Sequence, residues 1–367
     1  MTVEVAILAD DLTGALDAAA PFVRAGRSAV VATAPAWLDG ADIAAEVIAV
    51  STATRDAGAE EAARIVASAA LALAALAPRI LFKKIDSTLR GHVVAETASM
   101  LAATGRRRAI VCPAVPAQGR IVRDGRVLVH GTPLADWLPP GEAQRWGCAD
   151  PLPAMFAAAS TAGLEIACCD AEADEDLGHI ARTVRAGGDA LIAVGAAGLA
   201  AALAGEGAHR PVALDGPVLF VIGSRTRETA EQVARTAAME HTMVVAVDGS
   251  AGLPSPPVAP GTRAVLLVAD AAMIAPGTDA PTVAGWLARA AREMIGRFPV
   301  RTMVLSGGDT AHAVLDHLGC GLLRIVGEIE PGVPVAEADL GGGTIRIVTK
   351  AGGFGGPDLL ARIAGSA

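Results

Sequence analysis

The sequence predicts an α/β protein: two tandem α/β domains with mainly parallel sheets and an active site in the cleft between them. Three observations carry this. Short apolar runs alternate with alanine-rich helical stretches, as expected for parallel strands covered on both faces. The alternation breaks at Gly205–Pro217 (GEGAHRPVALDGP), which is rich in Gly and Pro and lacks periodicity, and then restarts. A length of 367 residues also suggests more than one hydrophobic core. The expected division is 1–205, a linker at 206–217, and 218–367.

In the first half, strands are expected at Glu4–Leu8, Ala29–Ala32, Glu46–Val50, Ile80–Lys83, Ala109–Cys112, Glu165–Cys168 and Ala190–Val194. Helices are expected near Gly14–Arg24, Ala57–Ala77, Val93–Ala103 and Asp176–Ala186. RIVRDGRVLVHG interrupts the rhythm. Asp124-Gly125 stands between two alternating runs, a strong hairpin signal. In the second half, strands are expected at Val218–Ile222, Met243–Val247, Ala264–Val268, Met303–Leu305, Leu323–Val326 and Ile345–Val348. Helices are expected at Glu228–Met239, Thr282–Gly296, Ala311–His317 and Pro357–Ile363. No sequence repeat links the halves.

Composition excludes several classes. The net charge is −9, a poor basis for nucleic-acid binding that runs on phosphate neutralisation. Cys112, Cys148, Cys168, Cys169 and Cys320 form no CxxC and no zinc spacing, and an odd, scattered set argues for a reducing compartment. MTVEVAILADD lacks the basic start of a signal peptide. AARIVASAALALAALA contains Arg64 and reads as a buried helix, not a membrane span. A cytoplasmic protein is expected, without nucleic-acid or membrane partners; a homodimer is compatible with the sequence.

Two stretches of the first half follow strands directly. ILADDLTG places Asp10 and Asp11 at a strand's carboxyl end, where open α/β sheets hold their ligands. Such carboxylates could hold polyol hydroxyls, bind Mg²⁺ or take a proton; equally, they could be a helix N-cap beside a solvated acid. FKKIDSTLRG gathers Lys83, Lys84, Asp86, Ser87, Thr88 and Arg90. Of 30 basic residues only Lys83, Lys84 and Lys350 are lysine, so this stretch departs from the composition. Lysine is a compact point charge and arginine a planar fork, and a site needing a slim cation would tell them apart. Strand alternation sends Lys83 and Lys84 to opposite faces, so only one need face the site. His92 could line it; the other histidines are scattered.

Three stretches of the second half have the form strand, loop, helix or strand, loop. IGSRTRET carries Gly223, Ser224 and Thr226; LSGGDT carries Ser306, Gly307, Gly308, Asp309 and Thr310; KAGGFGG carries Lys350, Gly352 and Gly353. Glycines let backbone N–H groups approach a phosphate, and a helix N-terminus adds partial positive charge. There is neither a Walker A sequence nor GxGxxG, so a Rossmann dehydrogenase is poorly supported.

Taken together, ADDLTG, KKIDSTLRG, PAVPAQGRIVRDGRVLVHGTPL, VGAAGLA, GSRTRETAEQ, SGGDT, EIEPGVP and KAGGFGG resemble the four-carbon acid sugar kinases nearly end to end. The resemblance implies an acid-sugar-binding first domain and an ATP-binding second domain. It implies that Asp10, Asp11, Lys84, Asp86, Ser87 and Arg90 form the acid site, with Gln118 and Arg120 nearby. Asp11, Lys84, Asp86 and Arg90 are the expected catalytic set. Ser224, Thr226, Ser306, Gly307, Gly308, Asp309, Thr310, Lys350, Gly352 and Gly353 would hold ATP, with Mg²⁺ bridging the phosphates; no metal ligand is assigned. The expected acceptor is threonate, erythronate or 3-oxo-tetronate. Asp309 stands where the family usually has Glu, and KAGGFG where it has KSGNFG. A different sugar acid, or binding without turnover, are the alternatives.

Overall fold

The computed structural model describes residues 2–38, 43–161, 163–209, 211–249, 258–269, 274, 277–341 and 343–367. The chain divides into two compact units, Met1–Ala208 and His209–Ala367. The break falls within the stretch read as a linker, of which residue 210 lies outside the described residues. Residues 211–217 pack on the second unit. Pro211 bridges to Glu328, Leu214 joins the core, and Thr302 Oγ1 donates to Asp215 O at 2.7 Å.

The first unit runs β1 (Val5–Ala9), α1 (Leu12–Arg24), β2 (Ala29–Ala32), β3 (Val47–Ser51), α2 (Ala59–Ala75), β4 (Ile80–Lys84), α3 (Val93–Thr104) and β5 (Arg108–Cys112). Next come β6 (Arg120–Arg123), β7 (Arg126–Val129) and β8 (Thr132–Pro133), which form a small antiparallel sheet. Short helices follow at α4 (Leu134–Trp137), α5 (Glu142–Trp146), α6 (Leu152–Met155) and α7 (Ala157–Thr161). The unit closes with β9 (Glu165–Cys168), α8 (Asp174–Gly187), β10 (Leu191–Gly195) and α9 (Ala197–Ala204). The main strands are all parallel, in the order β2-β3-β1-β4-β10-β5-β9. Every residue of β1, β3, β4 and β10 is buried, which is why their sequences are continuous apolar runs. On α2, Ala62, Val66, Ala69, Ala70 and Leu73 recur at helical spacing and form its buried stripe. The Asp124-Gly125 hairpin has both turn residues in the left-handed region (φ 50° and 70°), as its sequence demands.

The second unit runs β11 (Val218–Ile222), α10 (Arg227–Ala237), β12 (Thr242–Val247), β13 (Ala264–Ala269), α11 (Ala280–Ile295), β14 (Thr302–Ser306) and α12 (Gly308–His317). It ends with β15 (Leu322–Glu328), β16 (Pro334–Asp339), β17 (Thr344–Lys350) and α13 (Leu359–Ser366). Its strand order is β12-β13-β11-β14-β17-β16-β15. β16 was not anticipated. It lies antiparallel between β15 and β17 and makes the sheet mixed. Val218, Phe220, Val304, Val335 and Val348 pack against Leu359, Leu360 and Ile363 of α13.

Both units share one device. The chain leaves β1 toward β2 on one side, then crosses from β3 to β4 on the other; β11 to β14 repeat this order. The crevice where the order reverses is the usual ligand position of an open parallel sheet. Among the described residues no helix is long and apolar enough to cross a membrane.

Candidate active site

In the first unit the loops leaving β1, β3 and β4 converge. Asp11 caps α1: its Oδ1 accepts from Gly14 N at 2.9 Å and its Oδ2 from Thr13 Oγ1 at 2.5 Å. The capping expectation therefore holds for Asp11, and its carboxylate stays at the carboxyl end of β1 beside Asp10. Asp10 is 3 % exposed and takes a bidentate fork from Arg55, with Nε–Oδ2 at 2.8 Å and Nη2–Oδ1 at 3.1 Å. Arg55 Nη2 also reaches Asp11 Oδ1 at 2.9 Å. Sequence reading missed Arg55. Its only signal is its place four residues past the end of β3, at the same sheet edge as Asp10.

At the end of β4, alternation separates the two lysines. Lys83 is sealed inside, with Nζ 2.7 Å from Glu96 Oε2. Lys84 lies on the other side. Its Nζ donates to Ile85 O at 3.0 Å, and a Cβ on Gly14 would sit 3.1 Å from that Nζ and 2.4 Å from Asp11 Oδ1. Gly14 is therefore what lets lysine and carboxylate approach the start of α1 together. Asp86 closes the loop. It accepts from Thr88 N at 3.1 Å, from the Thr88 hydroxyl, and from Arg90 Nε and Nη2 at 2.9 and 3.0 Å. Gly91 (φ 93°) ends the turn, where a Cβ would come 3.0 Å from Asp10 Oδ2. Arg120, at the start of the hairpin, donates from Nη1 to Ser87 Oγ at 2.5 Å. Among the described residues, its buried Nε has no hydrogen-bond partner.

The electrostatics follow. Burial pushes the Asp86 carboxyl up, but Arg90, Arg55 and the hydrogen bonds from Arg90 and Thr88 outweigh it and hold the group well below its ordinary 3.8. Asp11 is likewise lowered: burial raises it, and Arg55, Lys84 and the Thr13 hydroxyl more than offset this. Arg55 loses hydration, yet Asp10 and Asp11 raise it well above its ordinary value. Burial lowers Arg120. Of the expected acid-site residues, Asp10, Asp11, Lys84, Asp86, Ser87, Arg90 and Arg120 thus come together. No described contact joins the Gln118 side chain to them. His92 turns instead to Ala57 O at 2.6 Å and stacks edge-on against Trp146.

In the second unit the loops after β11, β14 and β17 meet. Gly223 N and Ser224 N both donate to Ser306 O at 3.2 Å, and Gly307 N donates to Lys350 O at 3.1 Å. A Cβ on Gly223 would fall 1.9 Å from Thr310 Oγ1, and one on Gly352 would fall 2.2 Å from Ser224 Oγ. Gly307 has φ 106°, and around a Cβ built on Gly353 there is open space. Thr226 caps α10 and also donates to Gly352 O at 3.0 Å. Lys350 points inward. Its Nζ donates toward Gly352 O (2.9 Å), Ala351 O (3.1 Å), Thr229 Oγ1 (3.2 Å) and Ser306 Oγ (3.3 Å). Its ammonium therefore ties the loop after β17 to the first turn of α10 and the end of β14 rather than standing exposed. Gln232, also missed from sequence, reaches the carbonyls of Phe354, Gly355 and Gly356 and pins the last loop. Asp309 is exposed at the first turn of α12.

Two known domain families match this chain. Residues 5–137 match a sugar-binding N-terminal domain, and residues 256–360 a nucleotide-binding C-terminal domain. A D-threonate kinase of Bordetella bronchiseptica is 35 % identical, over 98 % of this chain and 96 % of its own. The chain belongs to the four-carbon acid sugar kinase family. A 3-oxo-tetronate kinase of Cupriavidus necator is 29 % identical, over 96 % of this chain and 94 % of its own. A crystal structure of a Haemophilus influenzae protein shares the fold, with a TM-score of 0.70 over 98 % of this chain and 99 % of that one, at 21 % identity. Within the family, the cluster at β1, β3 and β4 lies inside the sugar-binding match. The loops after β14 and β17 lie inside the nucleotide-binding match.

Proposed function

We propose that this chain is an ATP-dependent kinase that phosphorylates the terminal hydroxyl of a four-carbon sugar acid, D-threonate before erythronate or the 3-oxo acids. The observation that carries this is the set of carboxylates and cations at the switch point of the first unit. Asp10, Asp11 and Asp86 offer carboxyl oxygens to a polyol. Among the described residues Arg120 Nε has no hydrogen-bond partner, and Arg90 keeps Nη1 beyond the fork it makes with Asp86, so both suit the acid's carboxylate.

Asp86 and Asp11 stay ionised to low pH, which makes them weak bases. Phosphoryl transfer needs little base strength, because its loose transition state is served by positioning and charge neutralisation. Their proposed task is to orient the acceptor hydroxyl, with the Lys84 ammonium balancing charge on the transferred group. In the second unit the first turn of α12 and the glycine-rich loop after β17 are proposed to receive the phosphates, a helix N-terminus adding partial positive charge and Lys350 a cation beneath. Magnesium would enter as part of the Mg-ATP substrate. Among the described residues no group of three or more His, Cys, Asp or Glu is placed to hold a metal ion.

The test is ADP formation by the purified protein with Mg-ATP against D- and L-threonate, D- and L-erythronate and the 3-oxo acids. Turnover with D-threonate, abolished by Asp86→Ala, is expected. An ATP-induced thermal shift without turnover of any acid would move the substrate outside this class. No response to ATP at all would end the kinase reading.

A further inference from the structure

Lys83 is the lysine that the acid site does not contain. It is fully buried on the far side of β4 and paired with Glu96 on α3, itself 1 % exposed. In other proteins apolar residues of similar volume often replace such a pair with little loss of stability, which directs attention to what else the pair holds. The second Glu96 oxygen, Oε1, accepts from Thr54 Oγ1 at 2.6 Å. Thr52 Oγ1 lies 2.8 Å from Thr54 Oγ1 and 3.0 Å from Ala9 O, and its single proton serves either. The backbone is sewn the same way: Thr52 N donates to Ala9 O at 2.9 Å and Thr54 N to Asp10 O at 3.0 Å. Between them Ala53 is held at φ 52°, a conformation that a residue with a Cβ adopts only when its surroundings impose it. The next residue is Arg55, whose guanidinium forks Asp10 and Asp11.

We propose that Lys83, Glu96 and Thr54 are positioning residues that set Arg55, and through it Asp10 and Asp11, in register for the acid. The inference rests on the acid site proposed above. The pair fixes the carboxylate, the carboxylate fixes the Thr54 hydroxyl, and the hydroxyl fixes the turn that aims Arg55. Every member of this series, from Lys83 to Arg55, lies in the first unit, and the loops expected to hold the nucleotide lie in the second.

Calorimetric binding of D-threonate without nucleotide tests it, beside ATP binding and a thermal melt on the same preparations. Thr54→Val keeps the shape and removes the hydroxyl. It should weaken acid binding about tenfold or more, the scale of an ångström-level misplacement in a site. ATP affinity should stay within about twofold, and Thr54→Ser should restore acid binding. Lys83→Met/Glu96→Met replaces the pair with apolar volume. It should melt near wild type and still bind the acid about tenfold more weakly. Wild-type acid affinity in either the Thr54→Val or the double variant overturns the positioning role, whatever the melting temperature. A wild-type protein that binds no four-carbon acid, yet binds ATP, overturns the acid site and this inference with it.

Discussion

Lys350 gives the sharpest pH prediction. Its ammonium is 1 % exposed and shares three protons among four acceptors. Burial lowers its pKa from 10.5 to about 8, with Glu228 pulling the other way. A shift of that size corresponds to about 3 kcal/mol against the charged form. The penalty is present in full below about 8 and fades as pH rises toward 10.5. Wild-type stability should therefore climb across that window relative to Lys350→Met. Activity should move oppositely. If the cation supports the nucleotide loops, kcat/KM for ATP falls above pH 8 as the amine loses its proton, because this ratio reports the free enzyme. At pH 9 about one molecule in ten would retain the charge, so a drop approaching tenfold is expected. The alkaline limb of kcat itself should lie higher, since bound phosphates favour the ammonium. The assay is initial rates from pH 6 to 10 at saturating acid and varied Mg-ATP, for wild type and Lys350→Met. A limb near 8 that persists unchanged in the variant, or a wild-type profile flat to pH 10, would refute the reasoning.

Other substitutions test other parts. Asp86→Asn removes the charge and one of the two acceptors of the Arg90 fork and should cut kcat/KM for the acid at least a hundredfold, read in the ADP assay. Because Asp86 is depressed when folded, its contribution to stability is present above 3.8 and is lost as pH falls through the lower folded value. Acid unfolding followed by circular dichroism should thus be less steep in the variant. Lys83→Met alone leaves Glu96 buried without its cation and should cost about 3–5 kcal/mol, while Lys83→Met/Glu96→Met should cost much less. Denaturant midpoints measure this, and additive losses would mean that the pair is not coupled. Gly352→Ala puts a Cβ 2.2 Å from Ser224 Oγ and should raise KM for ATP about tenfold with acid binding intact. An unchanged KM would show that these loops do not set the nucleotide geometry.

Much of this was legible from sequence because chemistry in parallel α/β folds gathers at strand ends. Asp10-Asp11, Lys84 to Arg90, and the three glycine loops were all identifiable as residues just past an apolar run. Period-two alternation alone separated Lys83 from Lys84. Arg55 was not legible: STATR offers one arginine in a chain rich in them, and its meaning depends on β3 lying beside β1. Glu96 was hidden for a related reason, since nothing local marks a helix glutamate as buried until Lys83 stands opposite it. The fork from Arg90 to Asp86 is likewise invisible without the turn at Leu89 (φ 58°), which folds the arginine back. β16 escaped because PVAEAD alternates only weakly and ends in acids, and its partners on either side were needed to make it a strand.

The repeated order of β1 to β4 and β11 to β14 separates place from identity. Strand order says where a small molecule will rest; the loops say which one. A saccharide acid and a nucleotide can therefore be served by two copies of one wiring diagram with no shared residues. Redesign for a new acceptor then becomes a local problem. For the acid site proposed here, the variables are the few side chains at 10–14, 52–55 and 84–91 together with Arg120, on strands whose order need not change.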